Sequence, residues 1–300
     1  MEKLLDVILL DQQLLAFLVL DIVIAIILLG TMRFVSGVSA KVNTTDELSK
    51  NDNFAFGISL AGSILALGIV LTGAIEGEAA PSLTMEAIGM FSYGLFGLLL
   101  IKIGRIIHDR FALNKLDKTA LIKEQNITVG IVDAAGAIAT AIVVRAVLLW
   151  VDGLDIATFI AIASGFLVSQ LMLVMVTRIR ERAYAKNNQN DCLQEAFSNG
   201  QQALAIRYAG QLISTALAVT AASYFFVYNP DTLVINLLGW LLFGLIMTIL
   251  VALLTNIAKR IVLWGVNLVE EVDQQHNIGV ASIEMATSIS IALILMALMA

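Results

Sequence analysis

The chain has 300 residues, of which 59% are hydrophobic and 14% charged, with a formal net charge of −6. An ordinary soluble domain is about 45–50% apolar and about 25% charged. The balance excludes a soluble enzyme, a disordered chain and a disulfide-stapled secreted domain, and it points to a polytopic membrane protein.

A helix that crosses a bilayer needs about 20 mostly apolar residues. Eight stretches qualify: 12–34, 54–75, 86–107, 127–150, 156–177, 203–228, 232–257 and 277–299. Each is predicted to be helical, because lipid offers no partner to backbone polar groups. A β-barrel would show short segments of alternating polarity, and these runs are continuous. The N-terminus carries only Lys3, has Asp6 and Asp11 in its first apolar region and lacks a small-residue cleavage site. No signal peptide is expected, so span 1 stays in the mature protein.

Basic residues set the orientation. Arg33, Lys41 and Lys50 follow span 1. Lys102, Arg105, Arg110, Lys115, Lys118 and Lys123 surround the end of span 3. Arg178, Arg180, Arg182 and Lys186 follow span 5, and Lys259 and Arg260 follow span 7. The three loops on the other side hold none. Both termini are therefore expected on the outer side, with the basic loops in the cytoplasm. The outer side instead collects acids: Glu2, Asp6, Asp11, Glu76, Glu78, Glu86, Asp152, Asp155 and Asp231. They keep outer loops wet and also raise the local cation concentration.

Cys192 stands alone, so neither a disulfide nor a cysteine metal site is expected. His108 and His276 lie at cytoplasmic span ends and are expected to face water or headgroups. The stretch Thr177–Gln202 mixes Arg, Glu, Asn and Gln and reads as a solvated helical extension, open to anionic lipid or a soluble partner.

Spans 1–4 and 5–8 read as two copies of one unit, residues 1–152 and 153–300. Ala55–Phe56–Gly57–Ile58 aligns with Ala203–Leu204–Ala205–Ile206, Ala61–Gly62 with Ala209–Gly210, and Thr72–Gly73–Ala74 with Thr220–Ala221–Ala222. Asn126–Ile127 aligns with Asn277–Ile278, which places Asp133 on Glu284. A four-span unit enters and leaves on one side, so the copies are parallel. A pseudo-twofold axis along the membrane normal is expected to relate them. A smaller echo lies inside the unit. Spans 2, 4 and 8 start with Asn53, Asn126 and Asn277, positions suited to capping a helix. Gly57 and Gly130 follow the first two after four residues, and the pairs Ala61–Gly62 and Ala135–Gly136 come later.

This ordered recurrence resembles the YjfL-like family of bacterial inner-membrane proteins, domain of unknown function 350, here in tandem. The resemblance implies a four-span fold and a bacterial inner-membrane location, and it implies no activity. Span 6 departs from the pattern, with Arg207 and no clean Asn start.

The even spans are rich in Gly, Ala, Ser and Thr, which let membrane helices approach closely. The odd spans are greasier. A core of spans 2, 4, 6 and 8 is expected, with the odd spans outside.

Five ionisable residues fall within spans: Asp21, Asp133, Arg145, Arg207 and Glu284. Each costs roughly 2.5–3.5 kcal/mol at mid-bilayer on insertion scales, so each is expected to find a partner or water. Asp133 and Glu284 lie seven residues beyond their Asn, roughly 10 Å deep at about 1.5 Å per residue. Arg207 lies within a turn of that depth and is predicted to neutralise Asp133, Glu284 or both, leaving one surplus carboxylate to be protonated, hydrated or paired with a cation. Arg145 is predicted to snorkel outward to Asp152 or Asp155, the other option being Asp21 below it. Asp21 otherwise has no partner.

There is no Walker A loop, dinucleotide fingerprint or HExxH, and no His at membrane depth. Enzymatic activity, a metal, a cofactor and a nucleic-acid partner are not expected. Two function classes remain. The first is a channel or transporter for protons or small cations, using Asp133, Glu284 and Arg207. The second is a non-catalytic scaffold or accessory protein with structural charges, whose basic loops bind partners.

Overall fold

Residues 12–76 and 80–300 are described in the computed structural model. Glu2, Lys3, Asp6, Asp11 and Glu78, which enter the charge pattern, lie outside them. The first half runs α1 (Gln12–Ala40), the short α2 (Thr44–Ser49), α3 (Phe54–Ile75) and α4 (Leu83–Ile107). A π-helical turn, His108–Ala112, prolongs α4 before α5 (Lys118–Lys123) and α6 (Ile127–Trp150). The second half repeats the order with α7 (Ile156–Asn187), α8 (Leu193–Ser198), α9 (Gln202–Ser223) and α10 (Leu233–Val262), then a π-helical turn at Val269–Gln274 and α11 (Ile278–Met299). Eight of these helices, α1, α3, α4, α6, α7, α9, α10 and α11, are long and apolar enough to cross a membrane. They are spans 1 to 8 of an all-helical, polytopic membrane protein built from two four-span units. The end that gathers the basic residues is called the basic end below.

One device starts every even span. A short helix or π-helical turn precedes it, then a single left-handed residue: Asp52 (φ 45°), Gln125 (φ 62°), Gly200 (φ 81°) or His276 (φ 55°). Asp and His tolerate that region better than most residues. The next residue caps the span. Asn53, Asn126 and Asn277 each accept, through Oδ1, the backbone N–H three residues on, at 2.9, 3.1 and 3.1 Å. Such a bond satisfies one of the helix's otherwise unpaired donors and contributes about 1 kcal/mol. Gln201 holds the position before span 6 without a side-chain cap bond.

The even spans stand side by side in the order 2, 4, 6, 8, and an odd span lies in each groove between them: span 3 on spans 2 and 4, span 5 on 4 and 6, span 7 on 6 and 8. Span 1 packs on spans 2 and 3 at one end of the row. Spans 2 and 4 approach so closely that a Cβ on Gly62 would lie 2.4 Å from that of Ala134. Gly210 meets Met285 equally closely between spans 6 and 8. The two units thus pack alike internally.

Their mutual arrangement departs from the expected twofold. Such an axis would bring span 8 onto span 2 wherever it brings span 4 onto span 6. Spans 4 and 6 do form the joint, whereas no comparable contact joins spans 8 and 2. The row is open. Internal similarity defines the unit, but a rotation and a step along a row leave the same similarity in the sequence. Burial follows the row: 78% of an 18-residue apolar stretch is buried in spans 4 and 6, against 28% in span 8. Span 8 is therefore an end member and not a core helix.

The stretch Thr177–Gln202 is also not solvated throughout. Span 5 continues to Asn187, and Thr177, Gln194 and Phe197 are buried. Gln194 is clasped between Glu181 and the backbone N–H of Lys115.

Candidate functional site: two buried charge clusters

The two carboxylates near the basic end, Asp133 and Glu284, occupy equivalent places on spans 4 and 8. Both are about 98% buried. They belong to two separate clusters.

In the first unit, Arg105 of span 3 donates through Nη2 to Asp133 Oδ2 at 2.5 Å, and through Nη1 to Ser63 Oγ at 3.1 Å. Lys118, the first residue of α5, places Nζ 3.2 Å from Asp133 Oδ1 and also pairs with Asp109 of the π-helical turn. Ser59 of span 2 donates its hydroxyl to Asp133. Two carboxylates thus meet two cations. A cavity of about 80 Å³ adjoins them, lined in part by Ser36, Ser59, Arg105, Lys118 and Asp133.

In the second unit, Arg207 of span 6 donates through Nε to Glu284 Oε2 at 2.5 Å. Its other nitrogens reach Asp273 of the second π-helical turn and, at 2.8 Å, the carbonyl of Leu268. Lys259 of span 7 lies 2.9 Å from Glu284 Oε1, and Asn188 donates to Asp273 Oδ2 at 3.1 Å. Again two cations meet two carboxylates. The guanidinium suits this place because its rigid fork serves two acceptors at once and stays charged.

The expected cluster of Asp133, Glu284 and Arg207 is therefore corrected. Arg207 holds Glu284 but not Asp133, and neither carboxylate is surplus. The residues missed are Arg105, Lys118, Asp109, Lys259 and Asp273. All lie at span ends or between spans, where the orientation rule counts charge without asking whether it faces inward. Lys118 is only 5% exposed, and its position at the start of a short helix folded under the bundle was the signal available.

At the level of Asp133 and Glu284, span 6 carries Tyr208. Its hydroxyl bonds to Nε2 of His108 at 2.5 Å, across the joint between the units. His108 is thus buried against protein and not exposed to water or headgroups. His276 is exposed, in its left-handed turn.

Arg145 reaches toward the acidic end, where its partners are Thr72 (Nε to Oγ1, 3.0 Å) and Glu76 at the end of span 2. Asp152, Asp155 and Asp21 are not among them. Asp155 caps span 5, accepting from Thr158 N–H at 2.8 Å. Asp21 is buried beside Glu86 of span 3, and its Oδ1 has no partner among the described residues. A cavity of about 230 Å³ opens at the acidic end, lined by Glu86, Tyr93 and Asp152 among others. None of the five intramembrane charges lines it.

No grouping of His, Cys, Asp and Glu able to hold a metal occurs among the described residues. The family model described as Domain of Unknown Function (DUF350) matches twice, at residues 9–148 and 153–299. No curated protein and no solved structure matches the chain.

Proposed function

Since the chain belongs to the DUF350 family, as two copies in tandem, and each copy neutralises its own buried carboxylate, we propose that it is a non-catalytic membrane scaffold. Its charge clusters lock neighbouring helices in register. The supporting observation is the balance within each cluster: Asp109 and Asp133 against Arg105 and Lys118, Asp273 and Glu284 against Arg207 and Lys259. A site that carries a proton or cation through the bilayer needs a carboxylate free to bind it, and here Asp133 and Glu284 are each held by two cationic groups. Removing one partner of a buried pair leaves an uncompensated charge and is strongly destabilising, which is how a lock behaves. In this reading the protein sits in a bacterial inner membrane with both termini outside. Its basic end, with Arg33, Lys41, Lys50 and Arg182, offers a cytoplasmic surface to acidic partners or anionic lipid.

The second reading, transport of protons or small cations, draws support from the cavity beside Asp133. It is polar and roomy enough for water. Flux decides between them. Purified protein in liposomes under an imposed potential, read with internal pH and cation dyes, is expected to match empty liposomes. Proton or cation flux that vanishes in a folded Asp133→Asn, Glu284→Gln variant would overturn the scaffold reading.

A further inference from the structure

The row of even spans repeats one joint. Between spans 2 and 4, Ala55 lies against Gly130, Gly62 against Ala134 and Gly73 against Arg145. Between spans 6 and 8, Gly210 against Met285 is the same contact moved along the row. At the basic end, the cap amide of Asn53 donates to the carbonyl of Ile122 at 2.9 Å. One even span on, that of Asn126 donates to the carbonyls of Phe197 and Ser198. Each even span therefore has a leading face that holds the next even span and a trailing face that receives the previous one.

The leading face is buried in spans 2, 4 and 6, as at Gly62, Ala135 and Gly210. On span 8 the equivalent residues Ala286, Ser290 and Ile294 are exposed. The trailing face is buried at Ala134 and Ala209, whereas on span 2 its equivalent, Ala61, is exposed. The two free faces lie at opposite ends of one molecule.

We propose that these ends bind each other between two copies of this chain, span 8 of one protomer docking on span 2 of the next. The register carried along the row sets Ala286 against Ala61 and Ala297 against Thr72. It sets the same residue types, Ala135 with Ala209 and Ala146 with Thr220, at the joint between the two units. Small residues on both sides allow the close approach that drives association in lipid. All four even spans run in one direction, so the second copy enters without inversion. Asn277 fits the same scheme. Asn53 donates both to Glu47 and to Ile122 just before the next even span, while among the described residues Asn277 donates only to Glu271. Ser49 of the neighbouring copy holds the position of the missing acceptor. The contact joins unlike faces, so it builds a closed ring or a growing row and not a twofold dimer. It stands whether or not the protein moves ions.

The test is disulfide cross-linking in native membranes, in a Cys192→Ser background. Ala286→Cys and Ala61→Cys are carried on separately tagged, co-expressed copies. A linked dimer containing both tags is expected. None is expected from either variant alone, nor from Ala61→Cys with Leu238→Cys, an exposed residue of span 7. Ala286→Trp, outward-facing in the single chain, is expected to reduce the assembly to monomers by native mass spectrometry with unchanged monomer melting. Three results would each overturn the proposal: a link from Ala286→Cys alone, a link formed only when both cysteines share one chain, or a monomeric wild type with no link.

Discussion

Asp133 and Glu284 occupy the same place in two copies of one unit, and each takes one cation from the third span of its unit but the other from a different element. Asp133 draws on span 3 and on α5. Glu284 draws on spans 6 and 7. Ser59, a hydroxyl donor to Asp133, sits where Arg207 sits in the second unit. The two units share the buried carboxylate, the balance of charge and a cation from the third span, and differ in which helix supplies the second countercharge. What is held constant is neutrality at that level of the bundle, as expected where an unpaired charge is costly.

The comparison predicts unequal damage. Arg207→Gln is expected to be the most harmful single change. It strips one partner from Glu284 and the guanidinium from Asp273, so a loss of about 3–5 kcal/mol is expected, read as a fall in melting temperature in detergent. Arg105→Gln leaves Lys118 and Ser59 on Asp133, and a smaller loss of about 1.5–3 kcal/mol follows. Adding Ser59→Arg to that variant places the cation where the second unit has it. Recovery of stability would show the two solutions to be interchangeable, and a further loss would show that spans 2 and 6 are not equivalent there.

The caps extend the contrast between inner and end members of the row. Asn126→Ala removes a cap and the bonds to α8, so it is expected to cost up to about 2 kcal/mol, against about 1 kcal/mol for Asn277→Ala. Hydrogen exchange at Val129 and Val280 separates them. The smallest effect is at Asp155. The backbone N–H of Thr158 holds its carboxyl below the ordinary 3.8. A group lowered on folding contributes stability above its unfolded value, and that stability is lost as pH falls through the lowered one. Fraying at the start of span 5 is therefore expected only in acid below about pH 4, with Asp155→Asn removing the dependence of Thr158 exchange on pH.

Much of this was legible in the residues. Apolar run length marks the spans, since lipid enforces helix along the whole crossing. Asn53, Asn126 and Asn277 announce their caps, because a cap is a local device three residues long. The depth of Asp133 and Glu284 follows from helical rise. Their partners do not follow, because pairing depends on which helices are neighbours. Arg207 lies within a turn of the depth of Asp133, yet its side chain goes to Glu284 of span 8, and Tyr208 holds the equivalent place on span 6. Lys118 and Asp273 lie in connections whose inward turn is set by the short segments packed beneath the bundle. The openness of the row was equally hidden, since Ala286 looks the same whether it meets another helix or lipid.

The most direct test of the account is a set of double-mutant cycles on unfolding stability in detergent. Arg105 with Asp133 and Arg207 with Glu284 are expected to couple by about 1–3 kcal/mol, and Arg207 with Asp133 by less than about 0.5 kcal/mol. Strong coupling of Arg207 to Asp133, with none between Arg105 and Asp133, would contradict the assignment of one balanced cluster to each unit.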